Sequence, residues 1–194
     1  MTPSVEVCFH IMAKYRMLEN IKAHSVVVAK LARLIARGLQ DGGVNVSVEK
    51  ATAGALMHDI GKTASLQSGQ DHAEIGRQIC VRNNMDEIAG IVGEHVKLKN
   101  YDLKEDYSEK EIVFYADKRV KHDRVVSLDE RLEYILGRYG RNHEELCTRI
   151  KKNFELCREV EQKLFAKLDV GPEALSKLVK NEEIGEDVLL TQEV

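Results

Sequence analysis

His24, the adjacent pair His58-Asp59, His72, His95 and Asp117 are the side chains of this sequence whose types and spacing suit shared chemistry. A neutral imidazole offers one free nitrogen and a carboxylate offers two anionic oxygens, a donor set that suits a divalent first-row metal. Neighbours on a helix point about 100° apart, so His58 and Asp59 can share an ion only where a helix ends and the backbone turns. Gly61 permits that turn.

The pattern around each residue points inward. His24 is followed by Val27, Val28 and Leu31, and His58 is preceded by Ala51, Gly54 and Ala55 at helical spacing. His95 follows Ile88, Ile91 and Val92, and Asp117 lies among Ile112, Val113, Ala116 and Val120. A lone buried carboxylate is costly, and a shared cation removes that cost for the whole set. Taken singly, His24 reads as a core histidine and Asp117 as a salt-bridged carboxylate. The joint order is what raises a metal site against those readings. His10 and His143 have no such companions, and His122 lies in a basic segment with Lys121 and Arg124 and reads as solvated.

The elements that must hold these groups are helices. Ser4 caps a first helix running to about Met17, and a second runs from about Asn20 to Leu39, ended by Asp41-Gly42-Gly43. Ser47 opens a third, which Gly61 closes. Lys62 to Gln70 reads as a polar loop able to close over a substrate. Asp71 with Glu74, Asn84 with Glu87, and Ser108 with Glu111 have capping-box spacing. Ser127 with Glu130 and Asn142 with Glu145 repeat it, the last opening a long charged helix to about Leu168. In that helix Leu146, Ile150, Phe154, Cys157 and Leu164 form a stripe that either closes the bundle or makes a homodimer surface. Gly171-Pro172 breaks the chain, and a short helix follows to about Val179. No segment alternates with period two, so the fold class is all-α: a helical bundle with an additional long C-terminal helix. We expect one domain over 1–180, with a core of about 20–140, an extension over 141–180 and a frayed acidic tail over 181–194.

Composition narrows the function classes. The 194 residues carry a net charge of −3, with 5% aromatics and no tryptophan, which argues against nucleic acid as a partner. No apolar run has membrane-spanning length and the N-terminus does not read as a secretory signal, so no membrane partner is expected. Cys8, Cys80, Cys147 and Cys157 lack CxxC spacing and read as free thiols of a cytoplasmic protein.

The string Ala55-Leu56-Met57-His58-Asp59-Ile60-Gly61-Lys62 resembles the signature of the HD superfamily of metal-dependent phosphohydrolases, in its HDIG form. The family's order of His, His-Asp and a distant Asp falls on His24, His58-Asp59 and Asp117. His72-Ala73-Glu74-Ile75-Gly76 and Gly93-Glu94-His95 are similar to the extra histidines of members that bind two metals. The likeness spans about Ala23 to Leu136, and the chain resembles in particular small bacterial hydrolases of nucleotide and dinucleotide phosphates. No GYP motif accompanies it, which disfavours the cyclic-di-GMP branch.

The resemblance implies a helical-bundle phosphohydrolase in which a divalent ion activates water against a phosphate bond of a nucleotide or related small phosphate. One ion would be held by His24, His58, Asp59 and Asp117, and a second by Asp59, His72 and His95, with Asp59 bridging. Iron, manganese, cobalt, nickel, zinc and magnesium all remain open. Asp59, Lys62, His72 and His95 are the expected catalytic residues, with His72 and His95 as phosphate contacts or proton donors if only one ion binds. Lys62 would meet a substrate phosphate, or else is a solvated loop lysine. Of Lys118 and Arg119 only one should face the site, and Glu94 reads as supporting or surface. The competing reading is a non-catalytic nucleotide-binding signalling module.

Overall fold

A computed structural model describes residues 1–140 and 143–185. Helices α1 (Val5–Lys14), α2 (Glu19–Asp41), α3 (Val48–Met57), α4 (Lys62–Ser68), α5 (His72–Arg82), α6 (Asp86–Glu94) and α7 (Glu109–Lys118) come first. A two-stranded antiparallel hairpin follows, β1 (Val120–Lys121) and β2 (Arg124–Val125). Then come α8 (Leu128–Tyr139), α9 (Glu144–Phe165) and a short α10 (Leu175–Leu178) between 3₁₀ turns. The fold is all-α as the sequence predicts, and the hairpin is too short to show as period-two alternation.

The bundle is built around α3. Eight of its ten residues are buried, and a helix that is buried on every side belongs at the centre of a core. Its small residues let neighbours approach closely: a Cβ at Gly54 would lie 2.7 Å from the Ile91 side chain. Helices α1, α2, α6 and α7 pack around it. The 23-residue α2 turns Ile21, Val28, Leu31, Ile35 and Leu39 inward at helical spacing, and His24 shares that face. The chain therefore carries His58-Asp59 into the interior on the end of its most buried helix.

Several joints differ from the sequence expectation. Residues 62–68 are the helix α4, not a loop. None of its residues is buried, so no apolar period marked it. The Ser68 hydroxyl donates to Ala64 O at 3.0 Å, and Gly69, at φ +71, supplies the left-handed stop. Asn84 does not cap α6; it turns the chain at φ +58, and Met85 precedes the helix without a side-chain cap. Glu87 instead binds the N-terminal amine at 3.3 Å and accepts from the Thr2 hydroxyl at 2.6 Å. Asp71 caps α5 through Ala73 N, but Glu74 pairs with Arg77 and leaves the box open. Ser108 and Glu111 form the complete box at α7. Asn142 lies outside the described residues.

Helix α9 closes the bundle against α7 and α8, burying Phe154, Cys157, Val160 and Leu164. A polar cluster fixes it to α7. Tyr115 donates to Glu161 at 2.6 Å, Arg119 reaches Glu161 at 2.9 Å, and Arg119 also donates to Pro172 O at 3.0 Å. The packed chain runs past Asn181: Glu182 accepts from Arg33 at 3.0 Å, and Ile184 is buried. The rest of the expected tail, 186–194, lies outside the described residues.

Gly61 is required for room rather than for an unusual backbone angle, since its φ is −79°. A Cβ there would lie 2.2 Å from His72 O and 2.6 Å from Gly76 N, both backbone atoms that cannot swing aside. Gly61→Ala must push α5 off the end of α3. We expect a loss of about 3 kcal/mol in urea unfolding, at the upper end for overpacking. An unchanged midpoint would show that α5 is not seated as described.

Candidate metal centre

Three helix ends meet below α2. His58 is the C-cap of α3, His95 the C-cap of α6, and Asp117 the penultimate residue of α7. The last carbonyls of a helix lack intrahelical donors, and each helix C-terminus carries roughly half a negative charge. The histidines use those carbonyls. His58 Nδ1 donates to Ala55 O and His95 Nδ1 to Val92 O, each at 2.7 Å and each three residues back. His24 Nδ1 donates to His122 O at 2.7 Å, across the hairpin turn. A carbonyl can only accept, so each Nδ1 holds the proton and each Nε2 presents a bare lone pair.

Those lone pairs converge on the carboxylates. His24 Nε2 lies 3.1 Å from Asp117 Oδ1, and His58 Nε2 lies 3.7 Å from the same oxygen. The ligand atoms of His24, His58 and Asp59 lie within 4.8 Å of one another, as do those of Asp59, His72 and His95. Asp59 belongs to both groups through different oxygens. Its Oδ2 is 3.5 Å from His58 Nε2, while its Oδ1 is 3.5 Å from His72 Nε2 and 3.6 Å from His95 Nε2.

The donors outnumber the protons available to separate them. His58 Nε2 is fully buried with no hydrogen-bond partner. The His24 and Asp117 acceptors face each other, and His72 Nε2 and His95 Nε2 stand 3.2 Å apart. An orphaned buried acceptor costs about 1–3 kcal/mol. A divalent cation satisfies these atoms together, and the imidazole-carboxylate set fits a first-row ion.

Charge is concentrated accordingly. Burial would raise the Asp59 carboxyl, but His58 and His95 in their protonated forms, together with Lys62, outweigh it and hold it well below the usual range. Asp117 is likewise held down, with protonated His24 and His58 and with Lys118 overcoming its burial. Burial pushes the His72 imidazole down to about 4, so it is neutral at pH 7 and free to act as a ligand.

All six expected ligands stand in this cluster. Lys62 Nζ contacts Asp59 Oδ2 at 2.8 Å with its side chain partly open to solvent, so it sits at the site rather than adrift in a loop. Lys118 and Arg119 are both buried. Lys118 lies behind the ligands, donating to His95 O at 2.9 Å and standing 3.7 Å from Asp117 Oδ2. Arg119 points away into the α9 cluster. Glu94 is taken up by Lys110 at 2.5 Å and by the backbone of Lys99. The His122 ring is exposed as expected, but its carbonyl holds His24, a backbone role with no side-chain signal.

Comparison with known proteins agrees with this geometry. The model of the HD domain family matches residues 21–120. Ribonuclease Y of Treponema denticola is 42% identical over 78 residues, 40% of this chain but only 14% of that protein's length. An uncharacterized protein of Methanocaldococcus jannaschii is 28% identical over 151 residues, covering 71% of this chain and 88% of the relative. No solved structure matches the chain.

Proton linkage at His72 has a definite sign. Its folded value, about 4, lies below the ordinary 6.5, so between these pH values the unfolded chain binds the proton and the folded chain does not. In metal-free protein that term lowers stability as pH falls from 6.5 to about 4 and is constant below it. The melting temperature of the wild type should therefore drop more steeply across this window than that of His72→Gln. Equal slopes would contradict the partial burial of this ring.

Proposed function

Because the chain belongs to the HD domain family, we propose that it is a metal-dependent phosphohydrolase acting on a nucleotide or related small phosphate. The observation that carries this reading is the orphaned Nε2 of His58 among carboxylates and further bare imidazole nitrogens. The expected loading is two ions per chain. His24, His58, Asp59 and Asp117 would hold one, and Asp59, His72 and His95 would hold the other. Bound divalent ions would supply Lewis acidity toward a phosphoryl oxygen and a more acidic water.

The chain's own groups do the rest. The two oxygens of Asp59 face the two halves of the cluster, Oδ2 toward His58 and Oδ1 toward His72 and His95. Lys62 pairs with Asp59 Oδ2 at 2.8 Å. Its side chain is 39% exposed, so it can turn to a substrate phosphate as a point charge. Lys118, buried behind the cluster, offsets part of the Asp117 charge and holds the His95 carbonyl. The four free cysteines support a reducing, cytoplasmic setting.

The similarity to proteins named Ribonuclease Y favours one second reading, a phosphodiester of a ribonucleotide chain as substrate. The chain spans 14% of the length of that relative, so its whole activity is not carried over. Assays with manganese on nucleoside phosphates, dinucleotides and short RNA oligomers separate the two.

His58→Ala or Asp59→Ala should remove bound metal and hydrolysis together, with rates falling at least a hundredfold. His72→Ala should take elemental analysis from two ions per chain to one. A wild type that turns over with a single ion would end the two-ion assignment. A protein that binds metal but cleaves none of these substrates would favour the signalling module.

A further inference from the structure

A second charged feature lies outside the metal cluster. A cleft of about 450 Å³ opens between α2, the β-hairpin and the C-terminal segment. Four cations line it: Lys30 on α2, Arg124 on β2, Lys177 on α10 and Lys180 just beyond. Among the described residues, Asp123 is its one acidic lining residue. The chain as a whole is net −3, so this concentration runs against its composition.

Neighbouring cations are handled differently. Arg33 and Arg37 share Glu182, and Lys121 holds Glu130 at 3.0 Å. Among the described residues, Lys30, Arg124, Lys177 and Lys180 form no ion pair and no side-chain hydrogen bond. Like charges gathered in one concavity raise its potential and attract anions.

The walls are fixed. The C-terminal segment is held by the contacts of Glu182 with α2 and by Arg119 on Pro172 O. Buried Leu175, Val179 and Ile184 anchor it from beneath. Val27, Val125 and Val179 give the cleft an apolar floor. The volume lies in the range of small-ligand sites. A guanidinium fork beside three ammonium groups suits several phosphoryl groups in a row better than one carboxylate.

We propose that this cleft binds an oligophosphate anion, either inorganic or the phosphate chain of a nucleotide, at a site separate from the metal cluster. The inference uses none of the metal ligands and stands whether or not the chain is a hydrolase.

The test is calorimetric titration of the full-length protein, freed of divalent ions, with inorganic tripolyphosphate and with ATP. Freedom from metal removes hydrolysis and metal-bridged binding as sources of signal. We expect one site per chain, with affinity that falls as salt rises. The double variant Arg124→Ala/Lys177→Ala should weaken it at least tenfold. All these side chains are exposed or half-buried, so the variant should keep the wild-type melting temperature, checked in parallel. Lys62→Ala should bind as the wild type does. Similar affinity for both probes assigns the site to the phosphate chain, and tighter ATP assigns it to a nucleotide; either supports the proposal. No binding overturns it. So does binding that survives the double variant, or that is lost in Lys62→Ala and thus belongs to the metal cluster. Cation-dependent binding of a decaribonucleotide without binding of either small probe also overturns it, in favour of a nucleic-acid surface.

Discussion

The site depends on one repeated interaction: a histidine at a helix end donating its Nδ1 proton to a carbonyl that the helix leaves unpaired. His58 on Ala55 and His95 on Val92 are two copies of it, and His24, within α2, donates its Nδ1 proton to the hairpin-turn carbonyl of His122 instead. The first two bonds satisfy carbonyls at helix ends, and all three fix a tautomer. The result is three Nε2 lone pairs aimed at Asp59 and Asp117, near three helix C-termini that add their own negative partial charge. Few arrangements of neutral groups tolerate that; a cation does.

The rest of the bundle serves this convergence. The small residues of α3 let α6 approach closely, and the absence of a side chain at Gly61 lets α5 seat against the turn and present His72 to Asp59. Helix α7 must hold Asp117 against His24. Its register is set at one end by the Ser108–Glu111 box and near the other by Tyr115 and Arg119 on Glu161. The long C-terminal helix thus acts on the site indirectly, by holding the helix that carries Asp117.

Much of this was legible in the residues. Apolar stripes marked α2, α6 and α7, and the histidines fell on them because ligands of a buried site must share the core face. The junction after α3 was harder. His58-Asp59-Ile60-Gly61 promises a turn, but no residue of α4 is buried and the helix shows no apolar period, so the segment reads as loop. Asn84 and Glu87 had the spacing of a cap, yet Asn84 adopts the left-handed turn and Glu87 is drawn to the N-terminus, a partner distant in sequence. The carbonyl of His122 was invisible in principle, since any residue there has one.

That carbonyl also explains an otherwise costly turn. His122 sits at φ +56, where a residue with a Cβ loses about 1 kcal/mol or more. Its neighbours offset the cost. Val126 N donates to Arg119 O and Arg119 Nε to Val126 O, both at 2.7 Å, and the His122 ring meets Tyr134 edge-on with centroids 5.2 Å apart. A strained turn held from both sides is a stiff one. Stiffness matters here because the segment from Asp117 to Arg124 contributes a carboxylate to the cluster, the carbonyl that orients His24 and one wall of the basic cleft. A shift of the hairpin would move the carbonyl that orients His24 and the cleft wall together, so the hairpin joins the metal cluster to the surface beyond it.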